Sequence, residues 1–158
     1  MQPVPLKILV TANDFDVAAE TRRLTEARKD VGAVVTFSGL CRDEAGTLSA
    51  LELEHYPGMA EAELKRIADE ALERWPLTGL TVIHRFGIIR PGENIVLVLA
   101  ASAHRRAAFE ACDFLMDFLK TRAPFWKKEH LTESNEARWV EAKTSDDDDA
   151  TRWKKSKI

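Results

Sequence analysis

The sequence predicts an α+β fold, a single domain with a mixed, mostly antiparallel sheet. Three observations lead to this prediction. The chain has 158 residues, a length that suits one domain. Apolar residues make up 45% of it and charged residues 31%, the balance of an ordinary globular protein. Its segments follow the order βαββαββα with a last short strand, in which pairs of strands follow one another directly.

The first half of the chain opens with the strand pattern "LKILVTA". Residues 14–30 predict a helix that begins at Asp14 or Asp16, whose carboxylate can accept hydrogen bonds from the free amides of the first turn. Residues 32–42 are rich in β-branched side chains, which favours a strand that ends in a loop. After the turn "RDEAGT", residues 48–56 alternate apolar and polar side chains, as a strand with one wet face does.

The second half begins with residues 57–76, where apolar side chains recur at helical spacing up to Pro76. "LTVIHRFGII", the turn "RPGE" and "NIVLVLAASA" predict a hairpin or a pair of neighbouring strands. Ser102 is the predicted N-cap of a third helix. That helix should end between Lys120 and Arg122, because Pro124 removes a backbone donor and clashes with the preceding turn. "RWVEAK" predicts the last strand.

We place the folded domain at residues 1–143. Residues 144–158 set four aspartates against a basic end, and we expect them to form a poorly ordered tail.

Charge and composition exclude several classes of protein. The net charge of −3 argues against a nucleic-acid-binding coat, and no apolar run approaches the roughly 20 residues that cross a bilayer. Cys41 and Cys112 are far apart and no signal-peptide pattern opens the sequence, so we expect a cytoplasmic protein. His55, His84 and His130 share no metal-ligand spacing, and we predict no metal site.

One candidate site lies at the start of the third helix. His104 and Arg105 fall in its first turn, where the helix dipole already favours negative charge. Two cationic side chains placed there indicate an anionic ligand. The alternative is that both side chains simply point into solvent.

A second candidate site surrounds Pro124. Lys120 precedes this residue and Lys127 follows it, so a chain reversal could bring the two amines together. The alternative is that Lys120 only suits the helix C-terminus and that Lys127 and Lys128 form a solvated loop, with Phe125 and Trp126 anchoring it in the core. One helix holds His104 and Lys120 roughly 25 Å apart, so a pocket that uses both must be large or draw on another chain.

The loop after the second strand is a third candidate. Arg42 stands at a strand end, a place that commonly carries functional side chains, although it could be an ordinary turn arginine. Cys41 beside it could be an activated thiolate, but a small buried residue is the better prediction.

Several segments together resemble a known family. "GAVVTFSGLCRD", "LELEHYPGMAE", "VIHRFGIIRPGE", "SAHRRAAFEACDFLMDFLKTRAPFWKKE" and "RWVEAK" are similar, in order and spacing, to the large catalytic subunits of molybdopterin synthase. The resemblance spans Gly32 to Lys143, and the combination of "HR" with "DFLKTRAPFWKKE" is its most specific part.

The resemblance implies a sulfurtransferase of molybdenum cofactor biosynthesis with an α/β-hammerhead fold. Such an enzyme converts cyclic pyranopterin monophosphate, precursor Z, into molybdopterin by placing two sulfurs. It binds no cofactor of its own, because the thiocarboxylate on the C-terminal Gly-Gly of a small ubiquitin-like partner supplies the sulfur. Two large subunits form a homodimer with a small subunit at each end, a heterotetramer. This chain ends in "KKSKI", so we expect the sulfur carrier to be a separate protein.

The resemblance also implies roles for individual residues. Lys120 corresponds to the catalytic lysine and Lys127 to a second essential lysine. Substrate-binding positions fall on Arg42, His104, Arg105 and the run Lys127, Lys128 and Glu129, and Lys143 corresponds to an arginine that reaches across the dimer. We expect Lys127 to act as the neighbouring cation that lets Lys120 exchange protons.

Two alternatives from other classes stay open. A non-catalytic module could bind a phosphorylated ligand through Arg42, His104 and Arg105. A thiol enzyme could instead depend on Cys41.

Overall fold

The computed structural model describes residues 3–132, 136–140, 151 and 153 of the chain. Within these residues the chain has three helices and eight strands, and the strands form two four-stranded sheets. The elements are β1 (Leu6–Thr11), α1 (Val17–Thr25), β2 (Ala33–Leu40), β3 (Leu48–His55), α2 (Met59–Arg74), β4 (Leu77–Arg85), β5 (Gly87–Ile89), β6 (Asn94–Ser102), α3 (Arg105–Thr121), β7 (Phe125–Leu131) and β8 (Ala137–Val140).

The first sheet has the strand order β1-β4-β6-β2 and is covered by helices on both faces. Only β1 and β4 run parallel; the other neighbours are antiparallel. Because successive strand residues point to opposite faces, Leu80 and Val82 pack with α2 and α3, whereas Ile83 packs with Leu24 of α1. The central strands β4 and β6 are therefore buried along most of their length, which agrees with the short, mainly apolar runs in the sequence.

The second sheet has the order β5-β3-β7-β8 and is antiparallel throughout. One of its faces packs on a small cluster that includes Leu53 and Ile89. Trp126 and Trp139 are exposed. The predicted α+β fold with mixed, mostly antiparallel pairing is confirmed, although the strands divide into two sheets instead of one.

Three predicted boundaries are wrong. The strand predicted over residues 80–89 breaks before Gly87, whose φ of 90° suits glycine and sends β5 into the second sheet. The first helix ends at Thr25, and Ala27 adopts a positive φ of 59° two residues later. Ser102 does not cap α3: it lies in β6 and donates its hydroxyl to the Pro76 carbonyl at 2.8 Å.

The segment after Pro124 is the element that the sequence did not predict. It forms β7, which pairs with β3 along its whole length. The end of α3 at Thr121, with Arg122 as C-cap, falls where the proline places it. The helix thus ends just before Pro124 and the strand begins just after it, and the chain reverses direction between them.

The domain boundary at residue 143 stays a prediction, since residues 141–150 lie outside the described residues, as does Lys143. In the predicted tail, Trp153 packs edge-on against Trp75 and Phe114. Its carbonyl accepts a hydrogen bond from Arg74 at 3.2 Å.

Candidate active site

A cavity of about 720 Å³ opens between the end of α3, the start of β7 and the first sheet. Lys120 and Lys127 both line it, one on each side of the reversal at Pro124. Lys120 is exposed, and Lys127 is half-buried. The two lysines that sequence reasoning singled out therefore share one cavity, which we call the lysine cavity.

The alternation of β7 sets Lys128 apart from Lys127 and Glu129, its two neighbours in the predicted run. Lys127 follows Phe125 on one face of the strand, and Lys128 occupies the other. The Lys128 ammonium lies 4.7 Å from the centre of the Trp139 ring on β8. Glu129 accepts a hydrogen bond from Nε of Arg138 at 3.0 Å. Lys128 and Glu129 thus face neighbours within the second sheet and do not line the lysine cavity.

His84 also lines the lysine cavity, and sequence reasoning did not select it. Its ring stacks on Phe125 at a centroid distance of 3.8 Å and an interplanar angle of 13°. Nδ1 lies 2.8 Å from the carbonyl oxygen of Arg85. The signal was available in the strand pattern, because His84 continues the inward row of Leu80 and Val82 with a polar side chain.

The pKa of His84 is lowered from 6.5 to about 4, and burial is the largest cause. The positive charges of Lys127 and Lys120 and the nearby His55 also lower this pKa, while the hydrogen bond to the Arg85 carbonyl opposes them. The imidazole is therefore neutral at pH 7.

A second cavity, of about 670 Å³, lies at the other end of α3. His104 and Arg105 line it together with Gly32. His104 is the N-cap of α3 and forms no side-chain cap, and the first turn contains no acidic residue. First-turn amides and an exposed guanidinium together favour an anion at this position. The predicted placement of both residues at the helix start is thus close, although the cap itself is His104.

The two cavities do not form one site within a chain. Lys120 lies 16 positions after His104, the N-cap of α3, which corresponds to roughly 25 Å along the helix axis.

The loop after β2 contributes to neither cavity. Arg42 is exposed and pairs with Glu44 at 2.5 Å. Cys41 is buried, with 2% of its surface exposed, and that burial raises its pKa. The carboxylates of Glu93 and Asp43 raise the pKa further, against a hydrogen bond with the backbone of Leu51. These surroundings disfavour a thiolate, and the predicted burial of Cys41 is observed.

In the described part of the chain, no three His, Cys, Asp or Glu side chains cluster closely enough to hold a metal ion. Nor does any helix there reach the length and apolarity needed to span a bilayer.

A protein-family model described as MoaE protein matches residues 10–122. The chain belongs to the MoaE family. Its relatives include the molybdopterin synthase catalytic subunit of Mesorhizobium japonicum, 72% identical over 149 residues that cover 94% of each chain. The subunit of the same name from Escherichia coli strain K12 is 53% identical, over 93% of this chain and 97% of that one. The resemblance inferred from the sequence is confirmed.

Solved structures of MoaE-family proteins agree with this fold. The molybdopterin biosynthesis MoaE protein of Burkholderia ambifaria superposes with a TM-score of 0.80 at 42% identity, covering 94% of this chain and 98% of that one. Molybdopterin synthase from Staphylococcus aureus gives a TM-score of 0.73 at 29% identity, over 89% and 98% of the two chains. The chain therefore shares its fold of three helices and two sheets with these solved structures.

Proposed function

We propose that this MoaE-family chain is the catalytic subunit of a molybdopterin synthase, a sulfurtransferase that converts cyclic pyranopterin monophosphate into molybdopterin. The observation that supports this most strongly is the lysine cavity. Lys120 and Lys127 approach it from the two sides of the Pro124 reversal, so one cavity presents two amines to an anionic substrate. The names of the chain's relatives, which describe catalytic subunits of this enzyme, support the proposed activity.

In this proposal Lys120 is the catalytic residue and exchanges protons as sulfur adds to the substrate. Lys127 holds the negative charge of the substrate or of the incoming thiocarboxylate. A charged hydrogen bond from an amine to an oxyanion is roughly twice as strong as a neutral one, and a partly enclosed cavity preserves that strength.

The sulfur comes from outside the chain. We propose that a small ubiquitin-like subunit delivers it as a thiocarboxylate on its C-terminal Gly-Gly, and that this chain holds no cofactor of its own. An extended tail that ends in two glycines can pass through a narrow opening, because glycine has no side chain to exclude it. Exposed Phe37 and Leu40 at the cavity rim offer it apolar contact.

We further propose that two copies of the chain form a homodimer, with a small subunit at each end of a heterotetramer. The roughly 25 Å between the two cavities supports this, because cations at opposite ends of one helix act on one substrate only if two chains share the pocket. His104 and Arg105 of one copy would then bind the phosphate beside Lys120 and Lys127 of the other. Arg42, Lys128 and Glu129, which line neither cavity of the single chain, remain in the proposed substrate-binding set through the resemblance alone.

The test is a reconstituted assay with the cyclic pterin substrate and the thiocarboxylated small subunit, in which dithiolene product is measured. We expect Lys120→Ala to lose at least about 1,000-fold in kcat, as removal of a proton-transfer group does. Lys127→Ala should lose about 100-fold, since it removes a charged hydrogen bond from an enclosed cavity.

Lys65→Ala is the matched control. Lys65 is an exposed helical lysine of α2 that pairs with Asp69, outside both cavities. Its variant should keep full turnover, and all three proteins should keep the wild-type circular dichroism and the affinity for the small subunit. Equal turnover by all four proteins would refute the proposal. A non-catalytic phosphate-binding module instead predicts that no wild-type product forms at all.

A further inference from the structure

We infer that Gly32 is a positioning residue of the cavity at the start of α3, because its missing side chain lets the segment before the helix hold His104 and Arg105 in place. Gly32 lines this cavity together with Ala103, His104 and Arg105. The inference rests on the proposed function, which assigns the phosphate of the substrate to His104 and Arg105. Gly32 acts through these two side chains and needs no contact of its own with the substrate.

The space beside Gly32 is already filled by the backbone of another segment. A Cβ atom built on Gly32 would lie 2.1 Å from the carbonyl oxygen of Ala103 and 3.0 Å from its carbonyl carbon. Cβ atoms essentially never come closer than 3.0 Å to such an atom, so an alanine here would force the two segments apart by about 1 Å. Gly32 is not among the glycines with a positive φ. The limit at this position is therefore space and not backbone strain.

The strand side of this contact is held firmly. Ser102, the last residue of β6, is 1% exposed and pairs with Ala33 of β2 on one side and with Leu77 of β4 on the other. The amide of Gly32 donates a hydrogen bond to the carbonyl of Ser102 at 2.9 Å. Val31, the residue before Gly32, packs against the buried cluster beneath α1. A movement of Gly32 would therefore disturb both the pairing and the packing of the first sheet.

The helix side of the contact is held less. Ala103 directly precedes His104, the N-cap of α3, which forms no side-chain cap. His104 and Arg105 are both exposed, so no packed core resists their movement. The peptide unit that joins Ala103 to His104 is planar and stiff, so a shift of the Ala103 carbonyl passes directly to His104. A methyl group added at Gly32 would thus displace the two cationic side chains and leave the sheet in place.

The experiment compares Gly32→Ala with Gly79→Ala. Gly79 is a buried glycine of β4 outside both cavities, and a Cβ there would lie 2.8 Å from Cδ2 of Leu24, the end of a flexible side chain. Each variant adds one methyl group at a crowded position, so a purely structural role of Gly32 predicts parallel effects.

The two variants are assayed with the cyclic pterin and the thiocarboxylated small subunit. We expect Gly32→Ala to raise the KM for the pterin about 10-fold and to keep kcat within about 3-fold of wild type, because a displacement of about 1 Å weakens charged contacts that depend on position. Gly79→Ala should keep both values. Equal changes in KM for the two variants, or a loss confined to kcat, would overturn the inference.

A readout independent of turnover is the ¹H–¹⁵N spectrum of the folded chain. We expect Gly32→Ala to shift the amide resonances of His104 and Arg105 and to leave that of Lys120, at the other end of the helix, unchanged. In the wild-type chain, a nuclear Overhauser contact between protons of Gly32 and Ala103 tests the close approach even if the variant does not fold. Absence of this contact, or unshifted His104 and Arg105 amides, would overturn the inference. If the wild type forms no product while these shifts appear, the proposed function fails and the positioning role of Gly32 stands.

Discussion

The two ends of α3 hold their cationic side chains in opposite ways. At the N-terminus, His104 and Arg105 are exposed, and their side chains form no hydrogen bond or ion pair within the described residues. At the C-terminus, Lys120 borders a cavity walled by the stacked rings of His84 and Phe125. The comparison indicates that the C-terminal cations lie against packed rings of their own chain, whereas the N-terminal cations form an open set of donors.

The largest effect should come from mixing chains with opposite defects. Lys120→Ala lacks the C-terminal function, and a His104→Ala/Arg105→Ala double variant lacks the N-terminal one. If two copies share each pocket, a heterodimer of the two variants contains one intact pocket and one doubly damaged pocket. At substrate concentrations below KM, we expect each homodimer to be nearly inactive and the heterodimer, purified through two different tags, to regain about half of the wild-type rate.

The control for this experiment is a heterodimer in which one chain carries all three substitutions and the other is wild type. If two chains share each pocket, each pocket of this heterodimer lacks the cations of one end of α3. The rate of the heterodimer should therefore fall well below half of the wild-type rate. If both heterodimers have the same rate, the ends of α3 work independently and the comparison loses its functional meaning.

The next effect is the acid sensitivity of the C-terminal end. The folded-state pKa of His84 is about 4, below its ordinary value of 6.5. Between these values the unfolded chain binds a proton that the folded chain does not, so stability is full above pH 6.5 and is lost as the pH falls to 4. The shift corresponds to about 3 kcal/mol. Urea titrations between pH 7 and 4 should show that His84→Phe loses about that much less stability than the wild type.

Carboxylates such as Asp14 and Glu52, whose pKa values are lowered by their hydrogen bonds, titrate in the same direction in both proteins. They cancel in the difference between the two titrations. Parallel pH curves for wild type and variant would mean that His84 is not a buried neutral ring.

How well the sequence predicts each element depends on whether local or long-range interactions determine that element. The first sheet and α3 follow from patterns inside one segment: apolar runs for β4 and β6, and Pro124 for the end of the helix. β7 does not, because "FWKKEHL" is polar along most of its length and becomes a strand by pairing with β3, whose residues lie at least 70 positions away. Local propensity cannot report a partner at that distance.

The candidate site was predictable to the same extent. The convergence of Lys120 and Lys127 follows from the proline between them, a local signal. His84 has no metal-ligand spacing, and its inward position on β4 is the signal that places it in the lysine cavity. The resemblance places Lys128 and Glu129 with Lys127 in the substrate-binding set, whereas the alternation of β7, a strand that the sequence did not predict, turns Lys128 to the other face.

A smaller effect is expected at the N-terminal end alone. Arg105→Ala removes a charged donor from an exposed pocket, so we expect the KM for the phosphorylated substrate to rise about 10-fold with kcat nearly unchanged. Arg22→Ala, which removes an exposed arginine from α1 outside both cavities, is the matched control and should leave KM unchanged. A fall in kcat with constant KM would show that Arg105 takes part in the reaction step, and the two ends would then differ less than their structures indicate.

The smallest effect concerns the middle of α3, which must stay packed if it is to hold its ends apart. Cys112 lies there, and burial raises the pKa of its thiol to about 12, while Cys41 is buried in the second sheet's cluster. A thiolate is the reactive form, so iodoacetamide at pH 7 should label neither cysteine in the native chain over an hour and should leave turnover unchanged. Labelling should be complete once urea unfolds the protein, which serves as the control.

Two outcomes would contradict this prediction. Fast native labelling of Cys112 would mean that α3 opens locally and cannot act as a rigid spacer. Loss of activity on labelling Cys41 alone would favour the thiol enzyme over the lysine cavity.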